Sequence, residues 1–322
     1  MMSEVSIRVF NDKDYPAIVN IDTSLNIVWP QRPQTPSGWA EIDRSRNPKR
    51  KFQRWVAVLN GDVVGFGSYG QGSIDYHPHR FHINIEVSPD HQNQGVGAAL
   101  YDQIISALQP FEPRVLRADA FTHLPHGFAF LQKRGFYEAF RETPVHLDVA
   151  SFDPGPFLQL ETRLSGKDIL IKTLQEMESD RDRDHKIYDL YWDISEDVPN
   201  EGLLSESPSF EEWVQWGLHD PAILKDAYFI VVIKDEYIAL SEWGKDRDDD
   251  VLQGGLLGVR RAYRKLGIAK AMMVRGILYA QEQGYPVLKT CTAIQNLPMQ
   301  RLFNTLGFAR DPEWIQCQKD IL

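Results

Sequence analysis

Residues 81–87 (FHINIEV) set polar His82, Asn84 and Glu86 against apolar Phe81, Ile83, Ile85 and Val87. This period of two predicts a strand with one buried face. A few positions on, Val96, Leu100, Ile104 and Leu108 recur every four residues, which predicts a helix carrying one apolar stripe. Residues 5–10 (VSIRVF) read as a strand and 14–25 as a helix. Residues 54–70 read as a hairpin turning at Asn60-Gly61, the strongest short hairpin signal. A further strand at 114–121 (RVLRADAF) and a short helix at 126–136 running into a strand complete the first half.

The second half repeats this order. Strand 169–174 (ILIKTL) and helix 185–194 are followed by a helix from Ser209, whose Glu-Glu first turn makes a good start. A hairpin at 228–243 is expected to turn at Asp235-Glu236. Strand 251–259 (VLQGGLLGV), a helix from Ile268, strand 287–293 (VLKTCTA) and the segment 296–308 close the half. Aligning Gly95 with Gly267 sets an offset of 172 residues (267 less 95), and this offset also pairs Val87 with Val259, Ala99 with Ala271, Ile105 with Ile277 and Gly135-Phe136 with Gly307-Phe308. A register without gaps through several elements implies two copies of one domain. Two prolines and a glycine in 151–157 (SFDPGPF) place the linker there, giving domains at 1–151 and 157–322.

The chain has 322 residues, enough for two domains, and 43% hydrophobic content supplies their cores. The start, MMSEVSIRVF, lacks the basic and apolar regions of a signal peptide, and no apolar run approaches the ~20 residues of a membrane span. With only Cys291 and Cys317 there is no disulfide scaffold, and a cytoplasmic protein without membrane partners is expected. A formal charge of −10 argues against nucleic acid, which demands a basic footprint, and suits a cationic acceptor such as an amine. His77, His79 and His82 lack metal-ligand spacing, so no metal is expected.

The chemistry is carried by two glycine loops, each between a strand ending in Val and a helix. Gln92-Asn93-Gln94-Gly95-Val96-Gly97 and Arg264-Lys265-Leu266-Gly267-Ile268-Ala269 share the pattern [QR]-x-x-G-x-[GA]. Helix N-termini present unpaired N–H groups and a partial positive charge, so they attract anions. Neither loop has the Lys-Ser/Thr of a Walker A motif or the third glycine of a dinucleotide fingerprint. The doubled pattern resembles the acetyl-CoA-binding motif of the GCN5-related N-acetyltransferase (GNAT) superfamily. In the second half, FEEWVQWGL, LGVRRAYRKLGIAKAM and QNLPMQRLFNTLGF are similar to the tandem members that include mycothiol synthase.

The resemblance implies an α+β fold: two tandem domains, each a mostly antiparallel sheet with splayed central strands flanked by helices. It implies transfer of an acetyl group from acetyl-CoA, a co-substrate, to the amine of a small molecule; the alternative is a non-catalytic acyl-CoA-binding or regulatory protein. By motif position, Leu257, Gly258 and Val259 would line the pantetheine arm. Arg264, Lys265, Leu266, Gly267, Ile268, Ala269 and Lys270 would cradle the pyrophosphate, and Asn296 would bond the amide arm. An N–H near Leu257 would polarise the thioester carbonyl. In the first copy the matching set is Val87, Gln92, Asn93, Gln94, Gly95, Val96 and Gly97. There Gln92 replaces the basic residue at the head of the loop, and Leu124 stands where the second copy has Asn296. The second half is therefore expected to be the working site, and the first to be degenerate or to bind cofactor without turnover. A tandem chain acts as a monomer, its own pseudo-dimer, or as a homodimer.

Acid and base are not marked. The Tyr that many relatives place four residues before the Gly-Phe glycine is Phe303 in the second half and Leu131 in the first. Tyr263 or water would have to donate a proton. Glu242 could face the acceptor site but reads more readily as an exposed charge at a strand end, Glu86 and Asp119 matter only if the first half is active, and Cys291 reads as a small core filler.

Overall fold

A computed structural model describes residues 5–27, 32–72, 76–199, 209–245 and 250–321. In chain order the elements are β1 (Ser6–Val9), α1 (Tyr15–Leu25), α2 (Pro36–Ser45), β2 (Phe52–Leu59), β3 (Asp62–Gly70), β4 (Arg80–Val87), α3 (Val96–Leu108), β5 (Val115–Phe121), α4 (Pro125–Gln132) and β6 (Tyr137–Asp148). There follow α5 (Leu160–Ser165), β7 (Ile169–Thr173), α6 (Arg183–Ser195), α7 (Phe210–Gly217), β8 (Phe229–Ile233), β9 (Glu236–Lys245), β10 (Val251–Val259), α8 (Ile268–Gln283), β11 (Val287–Ala293), α9 (Leu297–Leu306), β12 (Ala309–Arg310) and β13 (Trp314–Asp320). No helix among them is long and apolar enough to cross a membrane.

The predicted strands and helices of both halves are present, and the fold is the expected α+β repeat. Local chemistry explains their limits. Asn60 and Gly61 carry φ of 53° and 96°, the left-handed pair that a two-residue hairpin needs. In the second hairpin the turn falls one residue earlier than expected, at Lys234-Asp235, because Glu236 already pairs with Ile233. Ser209 and Glu212 form a reciprocal capping box that starts α7. The helix α2 adds an element with no marked apolar period; Thr35 caps it, and Trp39 anchors it edge-on against Phe66.

Contacts divide the chain into two compact units, Met1–Arg141 with Pro312–Leu322, and Glu142–Asp311. This divide differs from a cut at 151–157 because the last strand of each repeat completes the other unit's sheet. In the first unit the strand order is β1-β2-β3-β4-β5-β13, and in the second β6-β11-β10-β9-β8-β7. The exchange is equivalent in register: Val115 pairs with Asp320 in one unit and Val287 with Asp148 in the other, each pair related by the same offset. A fragment of residues 1–151 therefore leaves β5 without its antiparallel neighbour. It is expected to aggregate through that bare edge, and light scattering after removal of a solubility tag checks this.

Each unit has its own core. In the first, α3 packs Leu100, Ile104 and Leu108 against Phe81, Ile83 and Leu116. In the second, α8 packs Met273, Val274 and Ile277 against Trp243, Leu252 and Leu288. Gly276 marks how closely α8 approaches: a Cβ there would lie 2.5 Å from the Trp243 ring, which is 2% exposed. Gly276→Ala should cost about 1–3 kcal/mol through overpacking, visible as a lower urea midpoint.

Candidate active site

In both units the central strands pair in parallel for a few residues and then part. β4 and β5 pair from Arg80↔Val115 to Ile83↔Ala118, leaving Asn84 to Val87 facing a gap. β10 and β11 pair only from Val251↔Val287 to Gln253↔Lys289, so the gap there runs from Gly254 to Val259. The predicted splay is present twice.

Immediately beyond each gap stands the glycine loop. Gly95 and Gly267 cap α3 and α8 with φ of 88° and 87°, a conformation that a Cβ penalises. Asn93 and Lys265 are also left-handed, at 59° and 66°. Alternation of this kind curls successive amides into a concave anion nest at the end of a helix dipole. Among the described residues, and apart from the immediate chain neighbours, no atom lies within 4 Å of a Cβ placed on either glycine, so the space over both loops is open.

The residue at the head of the loop has a role the sequence did not reveal. Gln92 Nε2 donates to the Val87 carbonyl at 3.1 Å, and Arg264 Nε donates to the Val259 carbonyl at 2.9 Å. Both side chains tie the loop back to the last residue of its strand. Gln92 is thus a replacement that keeps the brace. The rest of the Arg264 guanidinium, with that of Arg261, is held by Asp197, whose carboxyl they draw down to about 2.

The second unit differs from the first by one inserted residue. β10 pairs with β9 in two runs separated by a bulge between Gly254 and Leu257, whereas β4 pairs with β3 without interruption. A bulge takes backbone groups out of the ladder and re-aims them. The Leu256 N–H donates to Glu242 Oε2 at 3.0 Å, and the Tyr228 hydroxyl donates to Glu242 Oε1 at 3.2 Å. Gly255 makes room, since a Cβ there would sit 2.6 Å from Oε2. Glu242 is therefore not an exposed charge at a strand end: it lines a cavity of about 240 Å³ within the splay. Burial pushes its carboxyl up to about 7, with the Leu256 N–H and Tyr228 hydroxyl pulling the other way.

The same cavity is lined by Leu256, Leu257, Cys291, Asn296 and Phe303. Asn296 Oδ1 caps α9 by accepting from the Met299 N–H at 3.4 Å. Cys291 is half-buried at the cavity wall rather than in the core, its thiol pushed well above its usual range by burial and by Glu142. Phe303 is 2% exposed and offers no proton. Tyr263 is away from the cavity, donating to Glu236 at 2.7 Å, and does not supply the missing acid. Leu257 lines the cavity, while Gly258 packs under Ile194. Lys265, Leu266, Ile268, Ala269 and Lys270 form the loop and first turn of α8.

In the first unit Val87, Gln92, Asn93, Gly95 and Gly97 line one larger cavity with Leu124. Gln94 Nε2 donates to the Asp90 carbonyl, and Val96 is buried beneath the loop. Leu131 is part of the core.

Comparison with known proteins agrees with this geometry. The model of the Acetyltransferase (GNAT) family matches residues 17–136 and again 185–308. An uncharacterized N-acetyltransferase of Escherichia coli (strain K12), YafP, is 30% identical over 111 residues, covering 33% of this chain and 69% of that protein. Among solved structures, a GCN5-related N-acetyltransferase from Sphaerobacter thermophilus superposes with a TM-score of 0.73 at 14% identity over 98% of this chain and 95% of that one. A tandem GNAT protein from the clavulanic acid biosynthesis pathway gives 0.71 at 15% identity over 98% of both chains. With the splay, the nest and the family match each occurring twice, the chain belongs to the Acetyltransferase (GNAT) family as a tandem member.

Proposed function

We propose that this acetyltransferase moves an acetyl group from acetyl-CoA to the amine of a small molecule, with turnover in the second unit. The observation that carries this reading is Glu242, a carboxylate raised to about 7 at the wall of the splayed gap. A base with a pKa near the working pH combines a useful deprotonated fraction with real proton affinity. The amine loses a proton to Glu242, its nitrogen bonds to the thioester carbon, the C–S bond breaks, and the thiolate recovers a proton from Glu242 or water.

Binding follows from the backbone. The pantetheine arm lies along Leu257, Gly258 and Val259, Asn296 meets its amide, and Arg264 to Lys270 surround the pyrophosphate. In the first unit Val87 and the loop from Gln92 to Gly97 bind a second cofactor molecule. Polarisation of the thioester falls to the bulge, where the carbonyl shares the Leu256 amide with Glu242. The uninterrupted β4 has no such bulge, which supports turnover in the second unit. Among the described residues, the charged groups lining the cavity are Glu142 and Glu242, a lining that favours amines over carboxylates.

Free thiol released from acetyl-CoA over a panel of primary amines tests the reading. Amine-dependent release is expected. Saturable cofactor binding with no release for any amine would favour a non-catalytic acyl-CoA-binding protein.

A further inference from the structure

The two units hold their positive charge in different places. The second glycine loop and the turn after it carry Arg264, Lys265 and Lys270; the offset of 172 residues gives Gln92, Asn93 and Ala98 in the first. At the end of α4 the contrast reverses. Tyr101, Lys133, Arg134 and Lys319 of the first unit correspond by the same offset to Met273, Thr305, Leu306 and Leu147 of the second. There Met273, Leu306 and Leu147 are each 2% exposed and belong to one apolar cluster.

The first unit thus has three cations where the second has core or a neutral side chain. Exposed Lys133 and half-buried Arg134 line the cavity of about 640 Å³ that also takes in Gly95 and Gly97. The Arg134 guanidinium carbon lies 3.5 Å from the centroid of the Phe130 ring and 4.9 Å from that of Tyr101. Lys319 Nζ donates to the Tyr101 hydroxyl at 3.4 Å. Aromatic faces hold cations in place without neutralising them. Arg134 Nη1 donates to the Phe130 carbonyl at 3.1 Å, but among the described residues no carboxylate pairs with Lys133, Arg134 or Lys319. Complementing the α4 dipole accounts for the first two cations and not for Lys319, which stands on β13.

Cations gathered beside a cavity without carboxylate partners suit a strongly anionic group. A Cβ placed on Gly97 would lie 3.4 Å from the same Phe130 ring, so the cluster borders the first turn of α3 beside the nest. Acetyl-CoA has one phosphate besides the pyrophosphate, the monoester at its ribose 3′ position, and such a group carries close to two negative charges at neutral pH.

We propose that Lys133 and Arg134, supported by Lys319, bind the 3′-phosphate of a cofactor held in the first unit, and that the second unit has no equivalent site. The proposal rests on the acyl-CoA reading above.

Calorimetric titration of the full chain with acetyl-CoA and with 3′-dephospho-acetyl-CoA tests it. In Gly267→Trp, which leaves the first loop free, loss of the 3′-phosphate should weaken binding by about tenfold or more. In Gly95→Trp, which leaves the second loop free, the two cofactors should bind alike. If either loop variant does not fold, the wild-type chain gives the same reading as weakening of one of its two equivalents. Lys133→Ala and Arg134→Ala should each remove most of the preference, and the exposed Lys133 carries the test if Arg134→Ala does not fold. Equal binding of the two cofactors at the first loop, the same preference at both loops, or an unaltered preference in folded Lys133→Ala would each overturn the site. Absence of any acetyl-CoA binding by the wild-type chain would strike the acyl-CoA reading and this site with it, whereas two equivalents without preference would strike this site alone.

Discussion

Replacing Glu242 by Gln should lower kcat for amine acetylation by about 100-fold, the lower part of the range for loss of a general base. The amide is isosteric, and its oxygen still accepts from the Leu256 N–H or the Tyr228 hydroxyl, so the splay and the KM for acetyl-CoA should change little. The pH profile carries the sharper test. A base works in its deprotonated form, and this one is raised to about 7 by burial. Wild-type kcat/KM for the amine should therefore rise through pH 7 towards a plateau, falling tenfold per unit on the acid side. The residual rate of Glu242→Gln should lack that inflection. A variant with wild-type kcat and an unaltered profile would remove Glu242 from the chemistry.

Gly267→Trp should have the next largest effect, on cofactor binding. An L residue at φ 87° is strained, and the indole would fill the open space over the nest, where the pyrophosphate is proposed to lie. An increase of about 100-fold in the KM for acetyl-CoA is expected, equal to about 2.7 kcal/mol of binding. Secondary structure by circular dichroism should be preserved, because among the described residues nothing beyond the chain neighbours lies within 4 Å of a Cβ there. Unchanged KM in a folded variant would show that the loop is only a turn.

Much of this site is legible in the chain because local rules dictate it. Alternation in 81–87 gives β4, the four-residue stripe gives α3, and positive φ at Gly95 and Gly267 accounts for the glycines. What could not be read depends on pairing between distant segments. Nothing local says that β13 pairs with β5, or that β6 pairs with β11, since either strand satisfies the same alternation in either sheet. Glu242 looks like a strand-end charge until the bulge at Gly254–Leu257 turns the Leu256 N–H towards it. The adjacent glycines of VLQGGLLGV were a signal of such a bulge. Gln92 and Arg264 differ in charge, so their shared role emerges only when both are seen bonding the carbonyl at the end of their strand.

The splayed strands and their loops are proposed as two acyl-CoA sites. Titration of the wild-type chain with acetyl-CoA in a calorimeter tests this most directly. The account predicts saturable binding of two equivalents, one for each loop, with one equivalent lost in Gly267→Trp. No saturable heat at millimolar acetyl-CoA would contradict it, and the two nests would then be turns without a ligand.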